Sequence, residues 1–594
     1  MQGPQALESL FQQGLSLHQA GQLEEARRTY TQMLVLQPDQ ADALHMLGVI
    51  ALQSGNYALA VDQLAVAVQS NPKNAAAHLN FGLALRAQGR LEEAMRCFKQ
   101  ALQLRPGYAE ALNALGLVLQ AFQQYDEAVH SFDGAIKVNP HYAQAFYNRG
   151  LAWHALADTE RALLDLEMAL ELDPAYAQAW NNRGVLLQEQ LRWEDSAKSF
   201  ATAIEVSPQF GQAFYNLGNS LRAMGQYESA VEKYDAAIAL QFDLAHCYNN
   251  RGLALQEMQR SAQAIASYDA AIQLQPDYAD AYWNKAIELL LCGEFAEGWA
   301  LYEWRWRRES FSSRKREFVQ PLWLGQEPIA GKTVLLHAEQ GLGDSIQFVR
   351  YVSQVKALGA KVVLEVPGPL VVLFQTLDGV SQIIEKGASP PYFDYHCPLM
   401  SLPFALKTRL ETVPSATPYL ASMPTHRAWW NTRLGPRTLP RIGLVCSGNV
   451  LDKNDLQRSV PLSELAPYLP RGVEYVSLQK ELRPQDAQVL MSVGMRFFGD
   501  EIKDFSDTAA LCDLVDLVIA VDTSVAHLAC ALGKPTWIML PFSPDWRWLL
   551  HREDSPWYPS AKLYRQGPQR QWQPVFSRIH GDLIAQLGIW GRES

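Results

Sequence analysis

The chain is 594 residues long, several times a typical domain, so at least two folding units are expected. Its 51 basic and 62 acidic residues leave a net charge of −11, which argues against a generally basic nucleic-acid-binding surface. No apolar run approaches membrane-spanning length, no basic segment followed by an apolar core opens the chain at Met1, and the seven cysteines form no CxxC pair. The composition therefore predicts a cytoplasmic protein with reduced thiols, no metal site and no nucleic-acid partner.

Self-similarity dominates the first half. Pro38, Pro72, Pro106, Pro140, Pro174, Pro208 and Pro276 fall on one 34-residue grid, and Gly14, Gly48, Gly82, Gly116, Gly150, Gly184, Gly218 and Gly252 keep the same step. Small residues such as Ala26, Ala60 and Ala94 are followed four positions later by bulky ones, Tyr30, Leu64 and Phe98. A small residue lets paired helices approach, the bulky one fills the gap, and proline closes each unit because it cannot continue a helix. This is the tetratricopeptide pattern, and it predicts about nine helix pairs over residues 1–310 stacked as an all-α superhelix.

One column of the grid carries amides: Asn80, Asn148, Asn182, Asn216, Asn250 and Asn284 each stand two residues before the glycine slot. Amides one repeat apart can pair with the backbone of an extended polypeptide whatever its side chains, or can bond locally between neighbouring helices. The column resembles the asparagine ladder in the superhelix of the eukaryotic O-linked N-acetylglucosamine transferase, which implies a polypeptide acceptor or partner protein held along the repeats.

A junction over residues 311–330 follows the segment Trp299 to Arg308. Trp299, Trp304 and Trp306 are expected to cap the array and dock it on the next domain, because tryptophans at this density are costly to leave in water. Arg305, Arg307, Arg308, Arg314, Lys315 and Arg316 offer an alternative reading as a positive rim that steers an anionic donor.

From residue 331 the grammar is short apolar strand, turn, helix. Strands are expected at Thr333 to His337, Lys361 to Val366 and Gln382 to Glu385, with helices at Ser345 to Ala357 and Gly368 to Leu377. A second set of strands at Arg441 to Cys446, Val473 to Leu478, Met495 to Phe498 and Leu514 to Val521 follows a loose stretch around Met423 to Pro440. The halves are placed at 331–425 and 426–594. Two doubly wound domains face to face put ligands in the crevice at the carboxyl ends of their strands.

Glu339-Gln340-Gly341-Leu342-Gly343-Asp344, and Asp522-Thr523-Ser524-Val525-Ala526-His527-Leu528 followed by Gly533-Lys534-Pro535, resemble glycosyltransferase family 9, the lipopolysaccharide heptosyltransferases and their relatives. Gln320-Pro321-Leu322-Trp323 and Arg458-Ser459-Val460-Pro461-Leu462 extend the likeness to bacterial tetratricopeptide-repeat proteins that carry a family-9-like domain. The resemblance covers about residues 318 to 590. It implies a GT-B fold of two facing Rossmann-like domains, the first on the acceptor side and the second on the nucleotide-sugar side. It also implies inverting sugar transfer from a nucleotide sugar, with no metal or other cofactor.

Inverting transfer needs a base for the acceptor proton and stabilisation for the departing diphosphate. Asp344, at the cleft end of the first strand, is the expected base, with Gly341 and Gly343 making the turn beside it and binding the donor. Asp522, Thr523 and Ser524 form a helix start suited to an anion, and His527 lies on the same helix face. Ser447 and Asn449 follow the first strand of the second half, Lys453 or Arg458 supplies positive charge, and Gln479 edges the nucleotide. Asp545 with Trp546-Arg547-Trp548 can serve the sugar or pack the seam between the halves. The expected function is thus a glycosyltransferase acting on a polypeptide gathered by the repeats. The alternatives are a transferase with a lipid or polysaccharide acceptor, whose repeats only assemble a complex, and an inactive scaffold.

Overall fold

A computed structural model describes residues 3–311, 313, 315–448 and 455–593. The chain divides into two compact units, residues 1–242 and 243–594.

The first unit is all α. Helices run in antiparallel pairs from Gly3–Gln19 and Leu23–Leu36 to Gly211–Ala223 and Tyr227–Ala239. The glycine column is what lets each pair close. A Cβ on Gly14 would lie 2.5 Å from the Tyr30 ring, one on Gly82 2.5 Å from Phe98, and one on Gly218 2.7 Å from Tyr234. The alanines of the grid, Ala26, Ala60 and Ala94 among them, are fully buried beside these bulky partners. Packing at interior density leaves no room for a larger residue on either side.

The second unit opens with two more helix pairs, Leu244–Glu257 with Ser261–Leu274 and Ala279–Cys292 with Phe295–Tyr302, followed by a 3-10 turn, Glu303–Arg307. The tryptophan-rich segment docks as expected. Trp299 is buried and meets Trp546 edge-on at 5.1 Å and Phe348 at 6.0 Å, while Trp304 stacks on Tyr282 at 3.7 Å.

Two parallel sheets follow. The first contains β1 (Thr333–His337), β2 (Lys361–Val366), β3 (Val380–Glu385) and β4 (Tyr395–Pro398), in the order β3-β2-β1-β4. The second contains β5 (Arg441–Val445), β6 (Glu474–Ser477), β7 (Leu517–Val521), β8 (Thr536–Leu540) and β9 (Ala561–Arg565), in the order β6-β5-β7-β8-β9. β5, β7 and β8 are buried along their whole length, which is why they read as unbroken apolar runs rather than alternating ones.

Several details differ from the sequence expectation. β4, β8 and β9 were not foreseen. Met495 to Phe498 is not a strand; it touches the sheet through one bridge, Val476 to Arg496. The helix expected from Ser345 to Ala357 is instead Leu342–Phe348, a 3-10 turn Val349–Tyr351, and Val352–Ala357. The interruption coincides with Arg350, whose guanidinium is drawn inward to the carbonyls of Gln347, Pro414 and Trp557.

The asparagine column makes the local bonds between neighbouring helices that were one of its two expected roles. It is not a row of uncommitted amides, because five of the six side chains donate to a residue 35 positions earlier. Asn148 donates to Asn113 (2.9 Å), Asn216 to Asn181 (3.0 Å), Asn284 to Asn249 (2.9 Å), Asn182 to the Tyr147 hydroxyl (2.9 Å) and Asn80 to His45 (2.8 Å). Asn250 accepts from Asn249 at 3.1 Å. Asn148 and Asn216 are buried outright. A buried amide must find partners within the protein, and here the neighbouring repeat supplies them.

Candidate functional site

The two motifs, residues 341–344 and 522–527, meet where β1 and β7 end. β1 runs through Ala338 and Glu339 into the helix Leu342–Phe348, and β7 runs through Asp522 into the helix Ser524–Ala531. The two helix starts lie against each other. A Cβ on Gly343 would stand 3.2 Å from Cδ2 of His527 and 3.4 Å from Cα of Ser524. A side chain at Gly343 would therefore crowd the second helix start. Neither Gly341 nor Gly343 has a positive φ, so neither supplies the sharp turn expected of it, and the close approach belongs to Gly343 alone.

Asp344 is held at both carboxylate oxygens. Oδ2 accepts from the Gly341 amide at 2.9 Å, and Oδ1 accepts from the Arg547 guanidinium. Burial pushes its carboxyl above the usual range, Arg547 and the Gly341 amide oppose this, and Asp545 adds to it. Arg547 also donates to Gln347 Oε1 at 2.6 Å and to Asp545 Oδ1 at 2.9 Å, so one guanidinium joins three side chains from both halves of the α/β region. Its charge is retained on burial because three acceptors surround it. Arg350 adds a second tie, to Trp557 O at 2.6 Å and the Tyr419 hydroxyl at 3.0 Å. Nothing in the sequence marks Arg350, and Arg547 stands out only within a tryptophan-rich run; the Trp-Arg-Trp spacing is the available signal.

On the other side, Thr523 caps its helix by accepting from the Ala526 amide at 3.5 Å, and Ser524 is partly exposed. Burial raises the Asp522 carboxyl, with Asp545 adding to the effect. His527 does not reach open space. It is 5% exposed, stacks on Trp548 at 5.3 Å, bonds the Tyr558 hydroxyl through Nδ1 at 2.9 Å and brings Nε2 to 3.8 Å from Asp522. Burial, with help from Arg547 and Arg350, holds it well below the usual histidine range, so it is neutral.

The remaining residues are less free than expected. Ser447 accepts from Gln479 Nε2 at 2.7 Å, and Gln479 Oε1 accepts from the Cys446 amide at 2.9 Å, so this pair braces the ends of β5 and β6 against each other. The amide of Gly448 donates to Asp455 and to the Ser459 hydroxyl and is not presented to a ligand. Arg458 packs over Gly448, where a Cβ would meet its guanidinium at 2.9 Å. Asn449 and Lys453 lie outside the described residues. The positive rim is mostly spoken for. Arg305 is fully buried between Glu303 and Glu339, Arg308 bonds Asp280, Arg307 lies over Trp304 and Arg316 pairs with Glu365; Arg314 lies outside the described residues. Among the described residues no group of three or more His, Cys, Asp or Glu side chains is arranged around a metal position, and no helix is long and apolar enough to cross a membrane.

Comparison with known proteins agrees with the helical part. Residues 11–75 and 113–177 match the family described as tetratricopeptide repeat, as do 245–278, and residues 82–121 and 218–259 match that described as TPR repeat. The chain thus carries tetratricopeptide repeats through its first 300 residues or so, followed by an α/β region with parallel sheets. Protein FlbA of Caulobacter vibrioides is 29% identical over 318 residues, which are 49% of this chain and 52% of FlbA. Human tetratricopeptide repeat protein 7A is 34% identical over 89 residues, 15% of this chain and 10% of that protein. The chain thus spans about half the length of FlbA and about a tenth of that of the human protein. Among solved structures, YrrB, a TPR protein with an unusual peptide-binding site, is 28% identical and covers 30% of this chain and 93% of its own, with a TM-score of 0.27. The APC/C hetero-tetramer Cut9–Hcn1 is 17% identical over 45% of this chain and 52% of its own, with a TM-score of 0.36.

Proposed function

We propose that the protein is an inverting glycosyltransferase with a GT-B, family-9-like catalytic region, and that its repeats gather a polypeptide acceptor. The observation that carries this reading is the approach of Asp344 and the helix start at Ser524 across Gly343, at the carboxyl ends of two parallel sheets. Crevices at such strand ends are where open α/β sheets bind ligands.

In the reaction, the acceptor oxygen attacks the anomeric carbon as the bond to the diphosphate breaks. Asp344 takes the acceptor proton, and its raised carboxyl favours that role. The partly exposed hydroxyl of Ser524 and the amides of its helix start receive the charge that develops on the departing diphosphate. Arg547, one hydrogen bond from Asp344, holds the base in place and adds positive charge at the same point. The committed amides of the asparagine column weaken the ladder as an acceptor grip, so peptide contact falls to other side chains of the repeats. Tetratricopeptide arrays offer extended surfaces to peptides and partner proteins, which supports a polypeptide acceptor over a lipid or polysaccharide.

Incubation of the purified chain with candidate nucleotide sugars and polypeptides should release nucleoside diphosphate. Asp344→Asn should lower that release by at least about a hundredfold, the scale of a lost general base. Undiminished release by this variant would remove Asp344 from the mechanism, and failure of the wild type to bind any nucleoside diphosphate would favour an inactive scaffold.

A further inference from the structure

One column of the repeat grid is apolar and buried: Ala84, Val118, Ala152, Leu186 and Ala254. The next place in that column falls to Glu288, equally buried, in the helix Ala279–Cys292. The column's other polar member, Ser220, is bonded to Ser196 and to Gln188, both at 2.7 Å. The residues in the corresponding places near Glu288 are Ala264, which offers nothing, and Gln256, whose Oε1 accepts from the Tyr268 hydroxyl. Neither oxygen of the Glu288 carboxyl has a hydrogen-bond partner. An acid set in an apolar column without a partner is costly to ionise, and packing does not explain it. Burial and the charge of Glu257 push the carboxyl up to about 7, and the Ser261 hydroxyl opposes them only in part. No cation relieves it. On the elements packed against the same helix, Arg305 is held by Glu303 and Glu339 and Arg547 by Asp344 and Asp545; Lys285, on the helix itself, is held by Asp269 and Glu297. Arg260, beside Ser261, gives Glu288 no hydrogen bond, and burial raises the Cys292 thiol one turn further on, so it stays neutral.

We propose that Glu288 is a pH-operated latch between the last two helix pairs. With its proton, it lets the helix Ala279–Cys292 close on the pair Leu244–Glu257 and Ser261–Leu274; without it, the turn at 257–261 opens to hydrate the carboxylate. The room for water is already there. Ser261 stands where other repeats place Tyr125, Trp193, Tyr227 and Phe295, and it lines a cavity of about 680 Å³ together with Cys292. The turn also carries the ties of this helix pair to the second half of the α/β region: Gln259 donates to the Phe542 carbonyl, and Arg570 donates to Glu257 at its carbonyl (2.6 Å) and its Oε2 (3.1 Å). An open carboxyl loses its proton near 4.5, whereas the closed interface keeps it to about 7. Closure is therefore favoured at low pH and is lost as pH rises from 4.5 through 7. The latch does not rest on the transferase reading.

Amide exchange over residues 257–264 of the full chain, measured for the wild type and Glu288→Gln at pH 5 and pH 8, tests the latch. Dividing one rate by the other at each pH removes the pH dependence of the exchange chemistry itself. The ratio of wild type to variant should be at least about tenfold greater at pH 8 than at pH 5, the scale of one pKa unit of linkage. Glu288→Ala, with the side chain found at 84, 152 and 254, should behave as Glu288→Gln does. Strands β1 and β2 should show no such change. The inference is overturned if the ratio is the same at both pH values, if Glu288→Ala keeps the wild-type pH dependence, or if β1 and β2 respond as strongly as the turn. No sugar donor or acceptor enters this test, so the latch and the transferase reading can fail independently.

Discussion

The guanidinium of Arg547 donates to Oδ1 of Asp344, across some two hundred residues of sequence and between the two halves of the α/β region. The contact makes the proposed base and the second sheet's loop one mechanical unit. Each carboxylate oxygen of Asp344 still has a lone pair beyond the bond it makes, so the pairing restrains the base without consuming it.

This pairing sets the first prediction. Arg547→Gln should destabilise the second unit by about 3 kcal/mol, because it strips Asp344 and Asp545 of their common partner in a partly buried place. Asp344→Asn should cost less, and the double variant should fall short of the sum by about 1–3 kcal/mol. Urea unfolding of the four proteins closes the cycle; strict additivity would mean that the pair does not interact.

Gly343 and Gly341 should respond differently to the same change. Alanine at 343 puts a Cβ against His527 and the backbone of Ser524, whereas at 341 it meets only the Asp344 carboxylate at 3.3 Å. Gly343→Ala is expected to cost about 1–3 kcal/mol by overpacking. Gly341→Ala should cost clearly less, and thermal unfolding of both variants would expose any equality between them.

For the asparagine column, Asn216→Ala leaves Asn181 with a buried carbonyl oxygen lacking its donor and should cost about 1–2 kcal/mol. The loss is local, so the sensitive measurement is amide exchange in the helices Ala177–Glu189 and Gly211–Ala223. Faster exchange there, with little change in the second unit, is the expected result; unaltered exchange would show that the bond contributes nothing.

The buried pair His337 and His396, 3.2 Å apart, gives a pH dependence. Burial holds them at about 3 and about 4, below the usual 6.5. Between those values and 6.5 an unfolded chain binds protons that the folded one refuses, so their contribution is complete above about pH 6.5 and is lost as pH falls toward 4. His396→Gln should flatten the acid side of the stability profile. A profile unchanged between pH 4 and 6.5 would count against neutral histidines.

The sequence made the repeats and the two motifs legible for different reasons. A 34-residue period repeats its evidence in every unit, so Gly82 and Phe98 need not be recognised singly. The motifs at Gly341 and Asp522 stand at strand ends, where apolar runs stop abruptly. What was lost concerns partners rather than positions. The column of Asn148 and Asn216 was visible, but Asn113 and Asn181, which bond them, stood off the column and gave it the look of an open ladder. Asn449 and Lys453 fall outside the described residues. β4 and β9 escaped because Tyr395–Pro398 ends on a proline and Ala561–Arg565 carries lysine and arginine, so neither reads as a core strand. Arg547 announces no function in sequence because its importance comes from three acceptors that only folding brings to it.

Because each amide clasp reaches back 35 residues while the repeat is 34 long, the first unit can be edited by whole modules. Excision of residues 149–182 would bring Asn216 to the same offset from Tyr147 that Asn182 now occupies, and that hydroxyl already serves an asparagine. Shortening or lengthening the array in steps of 34 residues thus requires no new contact chemistry, which leaves its reach adjustable independently of the α/β region that follows.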